Sequence, residues 1–225
     1  MSMPHLSKRL EAIVSHVDCR VLADIGTDHG YTPVAACELG KAQYAVACDK
    51  SPGSLKKAED YIREKNLRAR IETRLGYGFD PIKPGEAGTA VISGMGGMLI
   101  LDIVRKGIDA VNSLNRLILG PQRDLPALRQ GLSEMGIIIR DEEMLMDGKQ
   151  FYNILVCEPG TPVQLTPEGR MFGQALIDRS DPVFKLFLLK LIEKNTKICK
   201  QAENQILMEE LRIARIILRQ KGWSI

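Results

Sequence analysis

The chain reads as an α/β protein, a mostly parallel sheet wrapped by helices, with a helical hairpin appended at its C-terminus. Three observations predict this. Short apolar segments alternate with helical stretches as far as residue 135. Each of the first four apolar segments ends in a turn carrying Gly or an acidic residue. The rhythm then changes twice, first to a hairpin around Asp147-Gly148 and then, beyond Pro159-Gly160-Thr161-Pro162, to helix alone. Near-continuous apolar strands separated by helices are the mark of a parallel sheet buried on both faces.

In chain order, strands are expected at 21–25 (VLADI), 45–49 (AVACD), 69–73 (ARIET), 89–92 (TAVI) and 116–119 (RLIL). Helices are expected near 32–40, 52–65, 98–112 and 125–135. Gly136–Met146 and Phe151–Cys157 flank the Asp-Gly turn signal and should pair antiparallel at one sheet edge. Thr166 is a candidate cap with Pro167 at the first helical position, and Ser180-Asp181-Pro182 is a second capping sequence. From Val183 to about Gln220 the chain is nearly free of helix breakers. Leu188, Leu191, Ile192, Asn195, Ile198 and Cys199 recur at helical spacing, as do Ile206, Leu207, Leu211, Ile213 and Ile217. Two long helices turning near Lys200–Asn204 fit this pattern. The boundaries that follow are a domain at 1–160 and a helical domain at 161–225.

Composition narrows the class. With 225 residues, 44% hydrophobic and 26% charged, the chain is ordinary for a soluble globular protein. No apolar run approaches the ~20 residues that span a bilayer. The N-terminal MSMPHLSKRLEAIV carries charge where a signal peptide needs an apolar core, and a cytoplasmic location is the expectation. Five scattered cysteines read as free thiols. Three histidines without ligand spacing to any cysteine give no metal site. Charge is unevenly divided: residues 1–160 hold 20 Lys/Arg against 21 Asp/Glu, whereas 161–225 hold 11 against 7. A basic surplus on one segment is the footprint of a polyanionic partner.

The chemistry concentrates at strand ends. In VLADIGTDHGY, Asp24 lies late in a buried strand, where a charge is costly unless paired or bound to a ligand amine. Gly26 and Gly30 allow a tight turn and close ligand approach; Thr27, Asp28 and His29 fall in the loop above the sheet, where α/β proteins bind ligands. Asp49, 25 residues beyond Asp24 and next to Lys50, is placed to accept the hydroxyls of a ribose. Gly76-Tyr77-Gly78 follows the third strand, with Tyr77 stacking on a base or packing. Ser93-Gly94-Met95-Gly96-Gly97 follows the fourth and leaves room for something flat. After the fifth strand Gln122 is placed to read a base and Arg123 to meet a phosphate. The fingerprint GxGxxG is absent, which argues against a nicotinamide-dependent dehydrogenase.

Together DIGTDHG, ACD, RLGYG, SGMGG and LGPQRD resemble a class I S-adenosylmethionine-dependent methyltransferase. More narrowly, over essentially its full length the chain resembles the bacterial TrmK family, the tRNA (adenine-22, N1) methyltransferases. The resemblance implies a Rossmann-like, seven-stranded, mostly parallel sheet with its last strand antiparallel, and a coiled-coil-like C-terminal hairpin. It implies S-adenosyl-L-methionine as cofactor and tRNA as partner, with no metal and no membrane; a monomer is expected. Asp24, Gly26, Thr27 and Gly30 then hold the methionine end, and Asp49 and Lys50 flank the ribose. Gly76, Tyr77 and Gly78 border the adenine, and Ser93, Gly94, Met95 and Gly96 the methyl group. Relatives usually carry an acid where this chain has Tyr77, so weaker or rearranged adenine recognition is expected. Asp28, His29, Gly94 and Met95 are the candidates at the reacting centre. Gln122, Arg123, Lys8, Arg9, Lys190, Lys194 and Lys197 are the candidates for contact with RNA, with Lys185, Lys200, Arg212, Arg215 and Arg219 as further ones. Methylation of another RNA position, a small molecule or a protein is the alternative these residues leave open, and a catalytically silent RNA-binding protein is a third.

Overall fold

The structure, a computed structural model, describes residues 6–201 and 204–223. Residues 1–5 of the N-terminal stretch, and 202–203 of the expected turn, lie outside it. Helix α1 (Lys8–Ser15) precedes β1 (Cys19–Ile25), α2 (Tyr31–Glu38), β2 (Ala42–Asp49), α3 (Pro52–Glu64) and β3 (Ile71–Leu75). Then come β4 (Thr89–Ser93), α4 (Gly97–Lys106), α5 (Ile108–Asn112), β5 (Arg116–Gly120) and α6 (Leu125–Glu134). The long strands β6 (Ile137–Asp147) and β7 (Gln150–Pro159) lead to α7 (Pro167–Phe172), α8 (Gln174–Arg179), α9 (Pro182–Cys199) and α10 (Gln205–Gln220).

The strands form one seven-stranded sheet in the order β3-β2-β1-β4-β5-β7-β6. Strands β1 to β5 pair in parallel, and β7 runs against both β5 and β6. The sheet is therefore Rossmann-like with its last strand antiparallel. Because side chains alternate across a strand, the sheet has two cores. Ala23, Ile25, Ile92, Leu117 and Leu119 face α4, α5 and α6. Leu22, Val91 and Ile118 face α1, α2 and α3. The chain leaves β1 for β2 on one side, while β4 lies on the other. The carboxyl end of β1 thus sits at the switch point where such sheets bind ligands.

Two expectations need correction. The third strand begins at Ile71 rather than 69, because the Arg70 and Ile71 amides both donate to the Leu67 carbonyl and close a turn there. The Arg70 guanidinium also donates to the carbonyls of Gln43 and Ala42, tying that turn to β2. The helix expected over 98–112 is two helices. It breaks at Gly107, where a Cβ would come within 2.5 Å of Phe79.

The C-terminal segment packs as a layer of its own. Thr166 caps α7, and the Asp181 carboxylate caps α9 by accepting from the Val183 and Phe184 amides. Phe184, Leu188, Ile192, Leu211, Ile213, Ala214 and Ile217 form its core. Asn195 donates to Glu210 across the hairpin at 2.8 Å. Ile198 and Ile206, both on the expected apolar stripes, instead face outward near the turn, with Ile206 71% exposed. The layer is joined to the sheet by a buried polar knot. Arg129 of α6 forks onto Glu142 of β6 at 2.5 and 3.1 Å and donates to the carbonyls of Arg170 and Met171. Asn153 of β7 donates to the same carboxylate at 2.7 Å.

Candidate active site

The residues singled out at strand ends converge because their strands are parallel and in register. Ile25 lies beside Cys48 on one side and Ile92 on the other, and Ser93 lies beside Gly120. Asp24, Asp49 and Ser93 therefore lie together along the carboxyl edge of β1, β2 and β4, with Asp24 buried beneath it.

Asp24 is buried, and burial pushes its carboxyl up to about 6. The Thr27 hydroxyl beside it pulls the other way and Asp49 adds to the rise. Among the described residues Thr27 Oγ1 is itself buried without a hydrogen bond of good geometry. A buried carboxylate beside a poorly bonded hydroxyl in a glycine turn suits a cationic, hydrogen-bonding ligand, since a buried polar group without a good partner is costly. The turn itself is held by the Gly26 and Thr27 amides, which donate to the Cys48 carbonyl at 2.8 and 2.9 Å. Gly26 has φ +81°, and a Cβ there would overlap Met95 Cε. Only glycine lets the β1 and β4 turns meet in this way.

Asp49 is half-buried. One of its oxygens accepts the Ser51 amide at 2.7 Å, while Ser51 caps α3 through its own hydroxyl. The cap of α3 is thus Ser51, which leaves the second carboxylate oxygen of Asp49 available to a ligand hydroxyl. Ile25, Gly26, Asp49, Lys50, Gly76, Tyr77, Gly78, Met95, Leu99 and Ile103 line a common cleft. Within it Tyr77 donates to Asp102 at 2.6 Å, and Lys106 donates to the same oxygen at 2.9 Å. That bond, helped by burial, pushes the Tyr77 phenol up to about 12, so it stays protonated. Lys50 and Lys106 stand 5.9 and 4.9 Å from its ring centroid. Tyr77 is therefore a fixed wall of the cleft.

The glycines of the β4 turn divide their roles. Gly94 has φ +78° and faces open space. Gly97 serves close packing between the two loops, whereas Gly96 lies beside the exposed Arg123 side chain. A Cβ on Gly96 would come 2.9 Å from Arg123 Nε, and one on Gly97 would come 2.9 Å from the Arg123 and Asp124 carbonyls. The Gln122 amide donates to the Met95 carbonyl, which joins the two loops. The Arg123 side chain is 80% exposed.

Asp28 is tied down. Its carboxylate accepts from the Ser54 hydroxyl at 3.2 Å, lies 3.6 Å from Lys57 Nζ, and meets His29 Nε2 at 3.2 Å. Its charge is largely answered by these neighbours. His29 stacks on Tyr31, which the sequence reading passed over although it closes the motif DHGY. Asp102 and Lys106 were likewise missed, because a tyrosine's partner a helix away leaves no local signal.

The candidate RNA contacts are spread over several places, with Arg9 and Lys190 on opposite faces of the start of β7. The antiparallel register Leu119↔Leu155 carries the start of β7 past the carboxyl end of β5, towards the crevice. Arg9 lies over Tyr152 there at 5.3 Å, and Lys190 over Phe151 at 5.3 Å. Lys8 and Lys194 are exposed, and Lys197 pairs with Glu193 at 2.7 Å. Lys200, Arg212, Arg215 and Arg219 line a separate groove on the hairpin, whereas Lys185 lies against Trp223. Among the described residues no helix is long and apolar enough to cross a membrane.

The crevice and sheet order define a class I methyltransferase, and comparison with known proteins agrees: residues 6–155 match the family described as "Methyltransferase domain". The chain is 36% identical over 156 residues to the tRNA (adenine(22)-N(1))-methyltransferase of Bacillus subtilis, spanning 69% of this chain and 66% of that one, just under two thirds of the relative's length. It is 31% identical to a Streptococcus pneumoniae protein described as a candidate tRNA (m1A22) methyltransferase, whose structure holds S-adenosyl-L-methionine. That match covers 95% of this chain and 99% of that one with a TM-score of 0.88. The structure of the B. subtilis m1A22 tRNA methyltransferase TrmK matches at 29% identity over 96% and 97% of the two chains, with a TM-score of 0.80. The chain belongs to the TrmK family of tRNA (m1A22) methyltransferases.

Proposed function

We propose that the protein methylates N1 of adenine 22 in tRNA with S-adenosyl-L-methionine, residues 1–160 carrying the reaction and 161–225 helping to hold the RNA. The observation that carries this reading is the meeting of buried Asp24, half-satisfied Asp49 and the open Gly94 turn along one sheet edge, beside a cleft that Asp49, Gly76, Tyr77 and Met95 line, in a chain of this family. When bound, the cofactor supplies an electrophilic methyl group on a sulfonium, which the lone pair of neutral adenine N1 takes in line.

No base is needed to expose that lone pair, so the protein's task is placement and exclusion of water. Asp24 with Thr27 accepts the cofactor's ammonium, and the free oxygen of Asp49 accepts a ribose hydroxyl. Tyr77 walls the adenine slot, with the Gly76 and Gly78 backbone beside it. Met95 and Ser93 border the methyl group, and the open face of Gly94 admits the flat target ring. His29, beside Asp28, bounds the entrance. The carboxylates around the turn favour the positive charge that the methylated ring acquires.

Adenine in folded tRNA must leave its stack to reach this crevice. Arg9, Lys190 and exposed Arg123 lie at the same edge and give placement through phosphate contacts. Lys8, Lys194 and the Lys200–Arg212–Arg215–Arg219 groove extend the positive surface. The protein acts as a monomer in the cytoplasm in this reading. The test is incubation of unmodified tRNA with the protein and a labelled methyl donor, followed by nucleoside analysis. N1-methyladenosine at position 22 is expected, and its absence, or a different methylated nucleoside, overturns the assignment.

A further inference from the structure

Beside the crevice, between the start of α2 and α3, lies an open cleft lined by His29, Tyr31, Lys57, Asp60, Tyr61, Arg63 and Glu64. Its floor is aromatic. The His29 and Tyr31 rings stack with centroids 5.2 Å apart and planes 9° from parallel. Tyr61 meets Tyr31 edge-on at 5.1 Å and 78°. Yet Tyr31 remains 48% exposed, and among the described residues its hydroxyl has no partner. The platform is braced from below. Asp28 lies 3.2 Å from His29 Nε2, and a Cβ at Gly30 would stand 3.3 Å from Ala58, so α2 starts directly against α3.

We propose that this platform stacks the base of a nucleotide adjacent to the methylated adenine. The proposal rests on the tRNA reading of the active site. When the target adenine is drawn out of its stack, its neighbour loses a partner face, and an exposed aromatic surface at the mouth of the crevice replaces it. Every base has a π-face, so such a platform contributes affinity with little sequence preference. Electrostatics favours stacking over phosphate binding here. Lys57 faces Asp28 at 3.6 Å, Arg63 pairs with Asp60 at 2.6 Å, and Glu64 also lines the cleft. The cleft has little net positive charge to offer a phosphate. Its contribution to RNA affinity should therefore be nearly independent of salt, unlike that of a phosphate contact.

The experiment compares full-length wild-type protein with Tyr31→Ala and Tyr31→Trp. It measures binding to unmodified tRNA across a salt series, together with binding of S-adenosylhomocysteine. Tyr31→Ala should weaken tRNA binding about 5- to 150-fold with the salt slope unchanged and S-adenosylhomocysteine affinity unchanged. Tyr31→Trp should restore tRNA binding. With tRNA made abasic at each neighbour of adenine 22 in turn, one of the two should bind both proteins alike. Wild-type tRNA affinity in Tyr31→Ala overturns the platform, as does a parallel loss of S-adenosylhomocysteine binding or a loss that persists on both abasic substrates. A wild-type protein that methylates tRNA while Tyr31→Ala binds it normally refutes the platform alone. A wild-type protein that leaves adenine 22 unmethylated refutes the underlying reading as well.

Discussion

Replacing Asp24 with Asn should make the protein more stable and worse at binding its cofactor. Burial lifts the Asp24 carboxyl from 3.8 to about 6 in the folded chain. A difference of about two pH units, at 1.36 kcal/mol each, means that keeping this charge buried costs ~3 kcal/mol at neutral pH. The sign follows from proton linkage. Between about pH 4 and pH 6 the folded state holds the proton more tightly than the unfolded state, so stability falls as pH rises through that window and stays lower above it. Asp24→Asn imitates the protonated form. At pH 7 it should gain up to ~3 kcal/mol, about 6–12 °C in melting temperature for a chain of this size, and at pH 4 it should gain little. In the proposed reading the cofactor's ammonium offsets the same cost in the wild type. S-adenosylhomocysteine should therefore bind wild-type protein about 10-fold more weakly at pH 5 than at pH 7, while Asp24→Asn binds weakly at both. Thermal melts of the ligand-free protein and calorimetric titration, each across this pH range, supply the readouts. A ligand-free Asp24→Asn protein that melts at or below the wild type at pH 7, or one that binds S-adenosylhomocysteine as tightly, would refute this account of the site.

Other expectations follow from the geometry. Asp49→Asn keeps an oxygen for the Ser51 amide but loses the proposed ribose acceptor. It should cost about 10- to 150-fold in cofactor affinity, the range for a hydrogen bond to a charged group, with tRNA affinity unchanged by filter binding. Arg129→Ala strands the Glu142 charge, which is 1% exposed on its side chain. A loss of about 3–5 kcal/mol in urea unfolding is expected, and a loss under 1 kcal/mol would show that the knot is not structural. Arg9→Ala and Lys190→Ala should each flatten the salt dependence of tRNA binding by about one counterion, leaving S-adenosylhomocysteine affinity untouched.

The legible parts of this sequence were those governed by local rules. Strand ends announced themselves through Asp24, Asp49 and the Gly94–Gly97 turn, because apolar runs stop where the backbone must turn towards a ligand. The Asp147-Gly148 hairpin and the caps at Thr166 and Asp181 were equally readable from turn and capping chemistry. Long-range partners were not. Arg70 reaches back to β2 and shifts the third strand by two residues, which no propensity within 69–73 conveys. The packing role of Gly97 was hidden because a close approach to ligand and one to the Arg123 loop demand the same residue. Tyr77 stood out as a departure at the adenine end, but its grip on Asp102 became visible only once α4 was placed beside the loop that follows β3. Arg129 and Glu142 lay in plain helix and strand patterns, with nothing to mark them as a buried pair.

That pair, with the core around it, also decides how the molecule can be taken apart. Met144 of β6 is buried in the same cluster as Phe172, Leu176 and Ile217, and Phe151 of β7 meets Phe187 of α9 edge-on. The helical layer is thus the outer wall of the last two strands. Cutting the chain after residue 160 would bare apolar side chains along an eleven-residue edge strand and leave the Glu142–Arg129 pair open to water on its helical side. Unprotected edges of this kind recruit other chains. A shortened protein would therefore report on aggregation as much as on tRNA, and the contribution of the hairpin is best dissected by surface substitutions in the intact chain.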